Sequence, residues 1–297
     1  MLLQDFFLNV YRPLRLRGKS ANTSRLYDCL FRALARHLLR PAGLDDLDEL
    51  SIARYLDARS ASGLSAYSVE RERNQLLALA RLAHERGMLT TRPIVAQAPL
   101  PEATPRAWTV EQLGTLMDAA GRMQGMVGVV PAGQWWPCLL SVLWETGERV
   151  TAVIETPAAN YQRPHLAVPA MTRKGGRQEK LFSLSAETCD ALDAIQGITG
   201  GQGKLLPWTR NPTSLWGNMK QLVRRCHLGE GRGFRFHCVR RSTASHLAAV
   251  AGPGAATTLL GHSSPRLTTR WYLDPRITDT GPKPCDLLPR LRPATAK

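Results

Sequence analysis

Leucine recurs at four-residue spacing through Leu26, Leu30, Leu34 and Leu38, which lays one apolar stripe along a helix. Asn22 and Thr23 offer cap-type side chains ahead of the stripe, and Pro41-Ala42-Gly43 offers a stop, so the pattern predicts a helix over roughly 22–40. A second helix is expected over 51–59, broken by Ser60-Ala61-Ser62-Gly63. A third is expected over 65–87. Its apolar face carries Val69, Leu76, Leu79, Ala80 and Ala83, and its opposite face carries Arg71, Arg73 and Arg81. Pro93, Pro99, Pro101 and Pro105 then remove backbone donors and restrict their neighbours, which predicts an extended linker over 93–106. The chain divides on this reading into a helical domain over 1–92 and a second domain over 107–297.

The second domain opens with a helix over 109–120, where Thr109 and Gln112 have the spacing of a capping box. Residues 125–133 read as a loop. Residues 135–144 are mostly apolar and read as a buried helix, with Trp135, Trp136 and Trp144 as core. A turn carrying Arg149 and a short helix follow. Two short runs, 165–170 and 180–184, flank Arg173-Lys174-Gly175-Gly176-Arg177 and predict a β-hairpin with a basic tip. Further helices are expected near 185–195, 213–226, 237–250 and 253–260. The fold class is mainly α with a small β-sheet.

Composition narrows the partner. The 297 residues carry a net charge of +15, with 43% hydrophobic residues, enough for packed cores. Residues 1–100 hold 15 basic and 10 acidic side chains and the remainder holds 24 and 14, so both domains share the excess. Such a surface favours a polyanion, because Lys and Arg release counterions from a phosphate backbone. Cys29, Cys138, Cys189, Cys226, Cys238 and Cys285 form no C-x-x-C pair and have no histidine at zinc spacing, so no metal site is expected. No leader is visible and no apolar run approaches the roughly 20 residues of a membrane span, so the expected setting is cytoplasmic, alongside nucleoid DNA.

The candidate chemistry lies in an ordered set. Arg149 follows Glu145-Thr146-Gly147-Glu148, and His237 precedes Arg240 by one helical turn, which puts both on one face. His262 lies in Leu259-Leu260-Gly261-His262-Ser263-Ser264, and Tyr272 closes Thr268-Thr269-Arg270-Trp271-Tyr272. Arginine forks suit phosphate oxygens and the charge that develops on them during phosphoryl transfer. Tyrosine, with an ordinary pKa of about 10, attacks only with a proton acceptor and positive charge beside it. Lys174 at the hairpin tip could protonate a leaving hydroxyl, and Lys180 is a second candidate for that role. No carboxylate cluster of the kind a metal-dependent nuclease needs stands out.

The ordered set resembles the tyrosine recombinases, or phage-type integrases. Leu-Gly-His-Ser-Ser, Thr-Thr and Tyr are its most specific part, and Gly63-Leu64-Ser65 ahead of a long helix resembles the family's core-binding domain. The resemblance implies a two-domain clamp on double-stranded DNA and a homotetramer on two sites, with no cofactor. By the same resemblance Arg149 and Arg240 clamp the scissile phosphate, Lys174 is the general acid, His237 and His262 transfer protons and bind phosphate, and Tyr272 is the nucleophile. Arg71, Arg73, Arg81, Arg173 and Arg177 are the expected DNA contacts. Two other readings share the pattern, a type IB topoisomerase-like relaxing enzyme and a DNA-binding protein without catalysis. The sequence departs from the family where Glu148 replaces the usual apolar residue, placing a carboxylate in competition with phosphate for Arg149. It departs again where Ala152 replaces an acid, and in a His262–Tyr272 interval one residue longer than usual.

Overall fold

The computed structural model describes residues 1–173, 178–231, 233–279 and 281. They form two compact units, Met1–Ala103 and Thr104–Lys297, and residues 92–109 carry no regular structure.

The first unit is helical. Its three longest helices are α3 (Ala21–Leu38), α4 (Glu49–Ala61) and α5 (Ala66–Glu85). Leu30 and Leu34 of the leucine stripe are buried, and Tyr27 and Phe31 complete that face. α3 ends at Leu39, which takes a left-handed conformation (φ 55°), two residues ahead of the proline expected to stop it. Asp48 caps α4 by accepting from the backbone of Leu50 and Ser51. A buried carboxylate, Glu72, accepts from the Tyr55 hydroxyl (2.8 Å) and from Arg59 (2.9 and 3.0 Å), so its charge is paired and hydrogen-bonded. Ahead of these lie α1 (Leu3–Phe6), a π-turn over Phe7–Tyr11 and α2 (Arg12–Arg15), which the apolar pattern did not predict. They contribute Leu3, Phe6, Phe7 and Tyr11 to the same core.

The second unit begins with α6 (Val110–Gly121). Its capping box forms as the sequence indicates, with Gln112 Oε1 accepting from Thr109 N (3.0 Å) and Thr109 Oγ1 from Gln112 N (3.3 Å). A two-stranded ladder, β1 (Met126–Val127) and β2 (Val130–Pro131), occupies the expected loop. α7 (Ala132–Thr146) runs through the core and buries Trp135, Trp136, Leu139 and Val142, while Trp144 is half-buried. α8 (Val150–Glu155) follows the Arg149 turn. The sheet is antiparallel, in the order β3 (Tyr161–Gln162), β4 (His165–Val168), β5 (Lys180–Ser183). Leu166 pairs with Phe182, and both are buried. α9 (Ala186–Thr199) and α10 (Pro212–Arg225) complete the shell.

The chain then makes α11 (Phe236–Leu260), which breaks at Gly252 (φ 81°, ψ 164°) into the two helices expected from Pro253. α12 (Pro265–Tyr272) and α13 (Pro275–Thr278) follow. Ala244, Ala248, Ala256, Leu260, Tyr272 and Leu273 form a small apolar cluster that seats α12 on α11. No helix among the described residues is long and apolar enough to cross a membrane.

Candidate active site

Arg240 is the centre of the site and is 1% exposed. Burying a guanidinium is costly unless its donors are used. Arg240 donates to the carbonyl of Gly147 from Nη1, and to that of Leu260 (3.0 Å) from Nη2. The first carbonyl ends α7 and the second ends α11, so one side chain joins two helix termini whose carbonyls lack helical partners. Its Nε is buried without a protein partner. Burial, then the nearby Arg149, lower its pKa below the ordinary arginine value, and Tyr272 and Glu148 offset only part of this.

His262 stands beside it. Arg240 Nη2 lies 3.3 Å from His262 Nε2, and His262 Nδ1 lies 3.0 Å from Thr268 Oγ1. Arginine has only donors. The Nε2 that it meets is therefore the lone-pair nitrogen, and the proton sits on Nδ1, donated to Thr268. Loss of water, then Arg240 and Arg149, push the His262 pKa down to about 4, so the ring is neutral at neutral pH. His237 opens to solvent at the rim and is pushed down to about 4 by desolvation of its inner side and by Arg240, Arg241 and Arg149.

Tyr272 is 7% exposed and is delivered by its own chain. Its ring centroid lies 4.5 Å from that of His262 and 5.3 Å from that of His237, and the Arg240 guanidinium carbon lies 5.4 Å from the ring. The backbone on either side is pinned. Ser245 Oγ donates to the Tyr272 carbonyl (3.2 Å) and accepts from Asp274 N (2.9 Å). Asp274, fully buried, accepts from Ala107 N (2.8 Å) and from Arg276. Arg149 caps the start of α8 and is half-buried. Among the described residues its guanidinium meets no carboxylate.

The structure therefore brings Arg149, His237, Arg240, His262 and Tyr272 together. Lys174 and Arg177 lie outside the described residues. Two expected DNA contacts have other work. Arg173 has only 15% of its side chain exposed, donates to Glu148 Oε1 (2.7 Å) and to the Gln178 carbonyl (3.2 Å), and so faces inward. Arg73 pairs with Glu70 (2.9 Å) and donates twice to the Val95 carbonyl, which ties the segment after α5 to that helix. Arg71 and Arg81 are exposed. Glu148 does not engage the Arg149 side chain. Its carboxylate accepts from the Arg149 backbone amide (3.2 Å), pairs with Arg173 and stands 3.8 Å from Arg240.

Lys180 donates its ammonium to the carbonyls of Thr258 (2.6 Å) and Leu259. Desolvation, then Arg173, lower its pKa to about 8. Sequence reasoning gave no role to Thr268, Ser245 or Asp274. Thr268 sat inside the quoted motif, and Asp274 before Pro275 had the form of a helix cap, but the groups they hold lie up to 167 positions away.

No protein-family model matches the chain, and no curated protein matches it in sequence. Solved structures do match. A λ integrase tetramer bound to a Holliday junction superposes with a TM-score of 0.70 at 21% identity, covering 89% of this chain and 75% of that one. An integrase of the Tn1549 transposon, in complex with transposon right end DNA, gives 0.67 at 16% identity over 92% of this chain and 95% of that one. The XerH site-specific recombinase bound to its difH substrate gives 0.60 at 15% identity over 74% and 66%. With the backbone this similar and the sequence this distant, the likeness is one of architecture, and the chain has the tyrosine recombinase fold.

Proposed function

We propose that the protein is a site-specific DNA recombinase, an integrase that cleaves and rejoins duplex DNA through a 3′-phosphotyrosine on Tyr272. The observation that carries the reading is the seat of Tyr272 within its own chain's pocket, 4.5 Å by ring centroid from His262 and against Arg240. The DNA-bound state of the structural relatives supports the choice of duplex DNA as substrate.

A scissile phosphate enters beside Arg149, whose fork is open, and within the field of the buried Arg240. Preorganised donors of this kind stabilise the charge that develops as phosphorus is attacked. The Tyr272 oxygen bonds to phosphorus and the bond to the 5′ oxygen breaks. The phenolic proton passes to a neutral histidine, and the leaving oxygen takes a proton from a lysine, Lys174 by family resemblance. The new phosphotyrosine keeps the ester's bond energy, so a 5′ hydroxyl from a second duplex reverses the step without ATP or a metal. Four protomers on two sites would carry the exchange, as in the λ integrase tetramer on a Holliday junction.

The test uses DNA recovered by selection on the purified protein, remade as a nicked suicide duplex that traps the covalent product. The wild-type protein should form a protein–DNA adduct, and Tyr272→Phe should form none. An adduct that persists in Tyr272→Phe removes the tyrosine from the reaction. Supercoil relaxation without exchange between duplexes would instead identify a topoisomerase.

A further inference from the structure

Beside Arg149 lies a buried acid that phosphoryl transfer does not call for. Glu148 has 1% of its side chain exposed and immediately precedes Arg149. Its partner Arg173 enters the hairpin from the other side. The Arg173 guanidinium makes three contacts at once. Nε donates to Glu148 (2.7 Å), Nη1 donates to the Gln178 carbonyl across the base of the tip (3.2 Å), and Nη2 packs on Gly261, where a Cβ would stand 2.8 Å from it. Gly261 is followed by His262. Lys180 adds a second tie from β5 to the end of α11, through the Thr258 and Leu259 carbonyls.

We propose that Glu148 and Arg173 are a positioning pair: together they lock the base of the hairpin to the turn that carries Arg149 and to the loop that carries His262. The proposal rests on the recombinase reading for its catalytic consequence. Neither residue touches the phosphate. Glu148 compensates Arg240 and Arg173 and leaves the Arg149 fork free. Arg173 is suited to the task because only a planar fork can hold a carboxylate and a carbonyl in fixed directions at the same time. The small residue at 261 lets the guanidinium approach the His262 loop closely.

Among the described residues, removing Arg173 leaves the buried Glu148 with only Arg240, 3.8 Å away, and the Arg149 amide, while removing Glu148 takes the carboxylate from both Arg173 and the buried Arg240. Replacing both with apolar residues removes the first penalty but not the loss at Arg240. Glu148→Leu and Arg173→Leu should each lower the melting temperature, by roughly 10 °C, and the double variant should recover the part of that loss that comes from the unpaired partner, though not the part that Arg240 loses with Glu148. If the pair only fills space, recovered stability will bring recovered cleavage. If it positions the site, the double variant will bind the selected duplex normally and cleave the suicide substrate roughly 100-fold more slowly, the scale of a misplacement of about 1 Å. Its amides over 178–183 and 258–264 should also exchange faster than in the wild type. Arg173→Lys keeps the charge opposite Glu148 but cannot also hold the Gln178 carbonyl. It should fold and show the same cleavage defect, and so decides the matter if the double variant does not fold. Wild-type cleavage in a stable double variant, or in Arg173→Lys, overturns the proposal. If the wild-type protein forms no adduct at all, the recombinase reading fails by itself. Amide exchange then decides the pair, and unchanged exchange in the folded variants refutes it.

Discussion

Replacing Thr268 with valine keeps the shape of a fully buried side chain and deletes one hydroxyl. That hydroxyl lies 3.0 Å from His262 Nδ1 and 3.0 Å from Thr257 Oγ1. Thr257 loses little, because it also donates to the Pro253 carbonyl at 2.8 Å. The cost therefore falls on His262 Nδ1, a half-buried polar atom left without a partner, at about 1–2 kcal/mol. In a domain of this size that lowers the melting temperature by roughly 2–8 °C. The catalytic effect is larger. A threonine hydroxyl can accept from Nδ1–H or turn and donate to Nδ1. The second arrangement moves the ring proton to Nε2, which faces Arg240 and the incoming phosphate. Valine supports neither tautomer and leaves the ring free to turn. Single-turnover cleavage of a suicide duplex by Thr268→Val should fall by roughly 10- to 100-fold, with duplex affinity in a gel-shift titration unchanged. Thr268→Ser, which restores the hydroxyl, should recover most of the rate. Wild-type cleavage by Thr268→Val would refute the argument that the Thr268 hydroxyl holds the His262 ring in place for the reaction.

The other expectations concern charge. His237 and His262 resist protonation until about pH 4, against an ordinary value near 6.5, so between those values the unfolded chain binds more protons and stability falls as pH falls. His262→Asn should reduce that loss between about pH 7 and about pH 4.5 by roughly 1–2 kcal/mol, allowing for solvent at the site, as read from urea midpoints. A substrate with sulfur in place of the bridging 5′ oxygen needs no proton on its leaving group. It should restore cleavage by Lys174→Ala but not by Lys180→Ala, and the reverse result would exchange their roles. Arg71→Ala and Arg81→Ala should each weaken DNA binding and reduce the magnitude of its salt slope by about 1. Arg73→Ala should instead lower the melting temperature of the first unit.

Much of this architecture was legible along the chain. The stripe through Leu30 and Leu34, the Thr109–Gln112 box and the Gly252-Pro253 break all became what their patterns predict, because each is decided by neighbours within a turn or two. The first twenty residues were not legible, since their short turns carry no repeating face and draw their stability from α3. The strand over Tyr161–Gln162 is too short to show an alternation. The site itself divides in the same way. The motif residues announced themselves, but the destination of a long arginine did not. Helix periodicity places Arg73 on a surface and the hairpin reading does the same for Arg173, while the carboxylates and carbonyls that hold them are fixed only once distant segments have packed. Glu148 shows the same limit, since the chain reveals its place beside Arg149 but not that its carboxylate is directed elsewhere.

Drawn as a straight rod, the 25 residues of Phe236–Leu260 would measure about 37 Å, with Arg240 and Leu260 about 30 Å apart along it. They are instead joined by a 3.0 Å hydrogen bond, because the rod doubles back at Gly252. No atom would obstruct a Cβ there, so what keeps alanine out is the backbone angle alone, in a region that essentially only glycine occupies. An engineer ranking surface substitutions by helix propensity would choose Gly252→Ala early. That change favours the uninterrupted rod, and an uninterrupted rod has no reactive centre.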